Sequence, residues 1–287
     1  MSDRRALKAN GRVADLSLKG HLEAERYVAP LTHWVRVPVI PILAEPKGPR
    51  DRELAFGEEF EVLEISNGWA FGSAARDGYV GYVQASALSD RARSATHRVI
   101  SPSYWFAAPD LKCPKPPGLL PIGARLAVGA LHRDHCDWGE IAQPSGNADT
   151  FAYVPMPTLA PLLPAATDPV EEAERFLGVP YLWGGNSGFG IDCSGLVQAA
   201  CLACGITCPG DSDQQARTLG TPLAPAADMQ RGDLIFWRGH VALVVGDGRI
   251  LHANAHHMRV AYEDADTAIA RIATKEGPIT ARRRLPS

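Results

Sequence analysis

Apolar residues fall in short, evenly spaced runs along the first half of the chain and in longer mixed patterns along the second. Between Thr32 and Leu88 the runs WVRVPVIPIL, FEVLEI, WAFGSA and GYVGYV alternate with the turn clusters KGPRD, SNG and RDG. That alternation predicts short strands joined by tight turns. The segment from His97 to Leu163 repeats it loosely: HWVRVP (33–38) recurs as HRVISP (97–102), AFGEEFEVLEI (55–65) as PIGARLAVGAL (121–131), and NGWAFG (67–72) as CDWGEIA (136–142). A diverged repeat of one small β-barrel unit of about sixty residues is expected. Residues 1–30 are polar and weakly patterned, a lead-in partly draped over the segment that succeeds it.

A Pro/Ala-rich connector, PMPTLAPLLPAATDP, then separates two domains. It runs into a helix start, with Asp168 as cap, Pro169 at the first helical position and Glu171 where a capping box wants it. This helix, VEEAERFLG, is expected to end at Gly178. A second helix follows over about 194–204, then three strands: DLIFWR, HVALVVG and RILHANA. The order describes an α+β domain with an antiparallel sheet packed on a helix. The expected divisions are a lead-in (1–30), a first barrel (31–95), a second barrel (96–163) and the α+β domain (164–287).

Composition narrows the function classes. The 287 residues are 46% hydrophobic and 21% charged, with a formal net charge of −3, so nothing electrostatic points to nucleic acid. The run Arg282-Arg283-Arg284 reads as a solvated tail. No segment approaches the roughly eighteen apolar residues of a membrane span, and residues 1–30 hold no apolar run long enough for a signal-peptide core. A cytoplasmic location is the expectation, and with it six cysteines serving as free thiols, ligands or a nucleophile, not as a disulfide framework.

Four of those cysteines lie in GIDCSGLVQAACLACGITC, from Gly190 to Cys208. Leu196, Val197, Ala200, Cys201 and Cys204 share one face of a helix, so Cys201 and Cys204 are expected in the core as small hydrophobes. A zinc site from Cys201, Cys204 and Cys208 would need a fourth ligand and two sulfurs off that face. Cys193 falls at the helix N-terminus, where unpaired N–H groups and the helix dipole favour a thiolate. Taken by itself it is a structural thiol or a nucleophile. A nucleophile needs a base and a group to orient that base. His240 and His252 lie in successive strands joined through Gly246-Asp247-Gly248. A three-residue loop would place Val245 opposite Arg249 and Ala242 opposite His252, with both imidazoles on one sheet face; a two-residue loop would separate them. His256 and His257 read as surface residues in a loop.

VPYLWGGNSGFGIDCSGLVQ (179–198), RGDLIFW (231–237), GHVALVVGDG (239–248) and ILHA (250–253) resemble, in order and spacing, the NlpC family of bacterial cell-wall cysteine peptidases. The resemblance covers the segment from 168 to about 284. It implies a papain-like domain in which Cys193 is the nucleophile, His240 the general base and His252 the residue orienting it, with Tyr181 lining the oxyanion position. It also implies that the preceding repeats are two bacterial SH3-like barrels, the arrangement of the family's dipeptidyl-peptidase branch. The implied substrate is a peptidoglycan-derived peptide, L-Ala-γ-D-Glu-diamino acid, cut after γ-D-Glu and recognised by its free amine. On that resemblance Asp211, Ser212 and Ser194 contact the substrate, and Glu53 and Tyr79 of the first barrel close the amine pocket. Glu53 and Tyr79 could equally be an exposed loop acid and a strand aromatic. No metal or organic cofactor is implied. A secreted hydrolase of intact wall, a non-catalytic wall-binding protein and an acyltransferase are the alternatives, and the oligomeric state is left open.

Overall fold

The computed structural model describes residues 3–91, 94–115, 117–142 and 151–286. The chain divides into two compact units, Met1–Leu163 and Pro164–Ser287.

In the first unit, residues 31–89 form a seven-stranded sheet in the order Arg50–Ala55, Val39–Leu43, Val80–Gln84, Trp69–Ala74, Glu59–Ser66, Leu31–Val35, Leu88–Ser89. Strand Glu59–Ser66 shows how the sheet is covered on both faces. Phe60 and Val62 point into a core with Val35, Ile40, Ile42 and Leu54. Leu63, on the opposite face by strand alternation, joins a second cluster with Val13, Phe71 and Val80, beside an irregularity in register between Val62 and Glu64. The lead-in is therefore more ordered than its polarity suggests. Val13–Asp15 pairs with Arg26–Val28, and Arg12 and Arg26 both bind the buried Glu64.

Residues 97–161 do not repeat that single sheet among the described residues, whose strands there form three small sheets. Their core (Val99, Leu120, Leu126, Ile141, Val154) takes in Phe56 from the preceding segment. Next to it, Gly57 has φ +77°, and a Cβ there would lie 1.9 Å from the Arg125 carbonyl, so only glycine permits this approach.

The second unit is built on a six-stranded antiparallel sheet. Its elements are α1 (Pro169–Glu174), β1 (Asn186–Ser187), β2 (Gly190–Ile191), α2 (Cys193–Ala203), α3 (Ser212–Thr218), β3 (Thr221–Pro222), β4 (Asp233–Trp237), β5 (His240–Gly246), β6 (Arg249–Asn254), β7 (Arg259–Asp264), α4 (Ala265–Glu276) and β8 (Ala281–Arg284). The sheet order is β3-β8-β4-β5-β6-β7. Asp168 caps α1 as expected, accepting from Val170 N–H at 2.8 Å, but the helix stops at Glu174 and a turn carries the chain to Gly178. Ile235, Trp237, Ala242, Val244 and Ile250 pack under Ala268 and Ile272 of α4, while α2 lies against β5 and β6.

Three expectations are corrected. Strand β7, helices α3 and α4 and strand β8 were not anticipated. Arg282-Arg283-Arg284 is no tail: it pairs with β4, and Arg284 makes a two-pronged ion pair with Asp233, whose side chain is 1% exposed. Cys204 is half-buried at the C-cap of α2 and not in the core, whereas Cys201 and Cys208 are fully buried.

Candidate active site

Helix α2 begins at Cys193, one residue earlier than the periodicity suggests, because Asp192 caps it. The buried Asp192 carboxylate accepts from Gly195 N–H (2.7 Å), Ser194 Oγ (3.1 Å) and, across the site, Gly184 N–H (3.0 Å). One side chain thus fastens the YLWGG loop to the turn that carries the thiol. A Cβ on Gly195 would sit 2.5 Å from the Gly185 carbonyl, so the loop can lie this close only over glycine. Cys193 is 6% exposed, and its Sγ lies 3.9 Å from the carbonyl of Gly239, the residue before His240. Tyr181 bridges to Ile191, two residues before the thiol, and is half-buried.

The histidines meet, by a route the loop-length argument did not foresee. Gly246 pairs with Arg249, so the turn has two residues, Asp247 and Gly248, both at positive φ (50° and 67°), as a type I′ hairpin requires. Alone this would separate the imidazoles. A bulge at Val245 restores the register: Val244 pairs with Ile250 and Leu243 with Leu251, which continues to Ala242 opposite His252. Val245 therefore does not face Arg249. His240 Nε2 lies 2.8 Å from His252 Nδ1, on the sheet face that α4 covers.

Sequence reasoning missed what stands behind them. His252 Nε2 is 2.7 Å from Glu263 Oε2 on β7, and Arg271 of α4 reaches the same oxygen at 2.5 Å and Oε1 at 3.3 Å. His257, expected on the surface, is half-buried, bound to Asn254 and 3.8 Å from Glu263. Burial, with His252 and Arg271 adding like charge, pushes His240 down to about 3. Burial also holds His252 down to about 4, against the opposing pull of Glu263. Both rings are therefore neutral at neutral pH. Burial alone would raise Glu263, but Arg271 and His252 outweigh it and hold the carboxyl below its usual range.

Asp211 is the N-cap residue of α3 and Ser212 its first residue, both half-buried. One turn on, the buried Gln215 donates to the Ser194 and Pro209 carbonyls at 2.9 Å, and Gln198 donates to the Cys208 carbonyl at 3.0 Å. The start of α3 is thereby tied to the turn holding Cys193 and Ser194. Glu53 and Tyr79 belong to the first unit. Glu53 is no exposed loop acid: it lies in strand Arg50–Ala55, 4% exposed and ion-paired with Arg50. Tyr79, 5% exposed, precedes strand Val80–Gln84 in the barrel core. Among the described residues, no group of three or more His, Cys, Asp or Glu is disposed to hold a metal ion.

A buried thiol at a helix start, with a hydrogen-bonded imidazole pair on the adjoining antiparallel sheet, is the layout of a papain-like cysteine peptidase domain. Residues 178–275 match the model of the NlpC/P60 family, and residues 42–88 match that of the bacterial dipeptidyl-peptidase Sh3 domain. The chain carries an NlpC/P60 domain over the first of these stretches and a bacterial SH3 domain over the second. A γ-D-glutamyl-L-lysine dipeptidyl-peptidase of Bacillus cereus is 43% identical over 101 residues, 31% of this chain and 29% of that protein. Dipeptidyl-peptidase 6 of Lysinibacillus sphaericus is 42% identical over 88 residues, 30% of this chain and 31% of the relative. The matches thus span about three tenths of each relative's length. The crystal structure of an NlpC/P60 family protein from Bacillus cereus superposes with a TM-score of 0.72 at 21% identity, covering 89% of this chain and 100% of that one, a likeness of fold.

Proposed function

We propose that the protein is a cysteine peptidase that hydrolyses the γ-D-glutamyl–L-diamino acid bond of peptidoglycan stem peptides bearing a free N-terminal L-Ala, serving reuse of released peptides. The observation that carries the catalytic reading is the 2.8 Å His240–His252 contact beside a helix-start thiol. The named activity of the relatives and the match to an SH3 domain of dipeptidyl-peptidases support the substrate.

In this reading His240 takes the Cys193 proton, and the thiolate, favoured by the α2 dipole, attacks the γ-glutamyl carbonyl. N–H groups in the first turn of α2, with Tyr181, stabilise the tetrahedral oxyanion. The imidazolium returns its proton to the departing amine as the C–N bond breaks, leaving a thioester. Water, deprotonated by His240, then releases the acyl group and regenerates the thiol. Asp211 and Ser212 bind the substrate ammonium, and Ser194 lines the site beside the nucleophile.

Mass spectrometry of digests of L-Ala-γ-D-Glu-diaminopimelate, its N-acetylated form and intact peptidoglycan tests this. Cys193→Ala should abolish cleavage with the fold intact, and acetylation should cost about a hundredfold in kcat/KM, about 2–3 kcal/mol for a buried charge without its partner. Cleavage by Cys193→Ala refutes the mechanism. Equal cleavage of the acetylated peptide or of intact wall refutes the free-amine specificity.

A further inference from the structure

The two histidines could carry their protons in either of two opposite arrangements, and only one leaves a base for the thiol. Glu263 decides between them. As a carboxylate it only accepts hydrogen bonds, so the 2.7 Å contact requires His252 Nε2 to carry a hydrogen. A neutral imidazole then has a lone pair at Nδ1. The 2.8 Å contact to His240 in turn requires His240 Nε2–H to be the donor, which leaves the lone pair of His240 on Nδ1. The opposite arrangement would press an imidazole lone pair against a carboxylate oxygen. Arg271 prevents the carboxylate from turning away, since it holds both oxygens at 2.5 and 3.3 Å.

We infer that Glu263, clamped by Arg271, is a positioning residue that fixes the tautomer of His252 and, through it, of His240, so that His240 Nδ1 is the nitrogen that receives the thiol proton. The inference rests on the peptidase reading above. It adds a fourth member to the chain Cys193, His240, His252, placed eleven residues beyond the last of them. No proton passes to Glu263 at any step. When His240 takes the thiol proton it becomes an imidazolium, and Glu263 stabilises that charge through the intervening ring, the part a carboxylate plays beside a catalytic histidine elsewhere. Each packed element supplies one of the groups facing His252 and Glu263: His240 from β5, His257 from the turn after β6, and Arg271 from α4.

Two measurements on the full chain test the assignment. Nitrogen-15 NMR of histidine-labelled protein at about pH 6 to 8 should show both His240 and His252 as Nε2–H tautomers. An Nδ1–H tautomer at either position overturns the inference, whatever the enzyme's activity. Kinetically, Glu263→Gln should lower kcat about tenfold or more with KM little changed. The same variant should lower the rate at which iodoacetamide alkylates Cys193 across about pH 5 to 8, because the imidazolium that forms with the thiolate loses its carboxylate. Glu263→Asp should restore part of both. A Glu263→Gln variant with the wild-type alkylation profile and kcat overturns the inference. A wild-type chain that cleaves no stem peptide refutes the peptidase reading instead, and the tautomers still decide this one.

Discussion

Burying two neutral imidazoles makes the second unit sensitive to mild acid. In the unfolded chain each histidine protonates near its ordinary value of about 6.5. In the folded unit His240 and His252 resist protonation until about 3 and about 4. Below about pH 6.5 the unfolded state therefore binds protons that the folded state refuses, so stability falls as pH falls through that window. At pH 5 the loss is about 1.5 pH units at about 1.4 kcal/mol each, or about 2 kcal/mol per imidazole. For the pair this approaches about 4 kcal/mol, a large part of an ordinary domain's 5–15 kcal/mol. Glu263 has the opposite dependence: its lowered value contributes stability that disappears only as pH falls beneath the carboxylate range, outside this window. The experiment is urea unfolding at about pH 7.5, 6 and 5, followed by the fluorine-19 signal of 5-fluorotryptophan at Trp237. That residue is 3% exposed with its ring 5.8 Å from that of His240, so it reports this unit. A stability that is flat between pH 7.5 and 5 refutes the reasoning, as does a slope that persists in His240→Gln/His252→Gln.

Two substitutions probe the turn that carries the thiol. Asp192→Ala leaves the N–H groups of Gly184 and Gly195 without their shared acceptor and should cost about 3 kcal/mol in denaturant unfolding, with slower alkylation of Cys193; Asp192→Asn, which keeps an acceptor, should cost less. Gly195→Ala discriminates by sign: helix propensity alone predicts a gain of up to about 1 kcal/mol, whereas the 2.5 Å approach of a Cβ to the Gly185 carbonyl predicts a loss of about 1–3 kcal/mol.

Much of the site was legible because its parts are local. The acid before Cys193 and the apolar face from Leu196 to Cys201 mark a helix start, and the structure places one there. The strands DLIFW, HVALVVG and RILHAN announce themselves by short apolar runs, and all lie inside the sheet. The pairing of the histidines was right in outcome and wrong in cause. A loop count cannot reveal a bulge, and the one at Val245 converts a two-residue turn into the register expected of a three-residue one. The lead-in misled through its charges: Arg12 and Arg26 look solvated in sequence but converge on Glu64, which is 7% exposed at its side chain.

The missed residues share a physical reason. Strand β7 reads RVAYED, and the position that would complete an apolar alternation with Ala261 on its inner face is Glu263. Strand β8 reads ARRR, where Arg284 faces the buried Asp233. In both, a charged side chain interrupts the apolar pattern, and its partner lies on another element: Arg271 on a helix for Glu263, Asp233 on a neighbouring strand for Arg284. Pattern reading detects strands by the rule that these residues break. His252 breaks the same rule, but it survived detection because Ile250, Leu251 and Ala253 flank it with burial on both faces. A buried carboxylate or guanidinium costs stability unless it is paired and hydrogen-bonded, and β7 and α4 supply that pairing beside the histidines. The element hardest to read from the sequence is therefore the one that holds the charge on which the histidine pair depends.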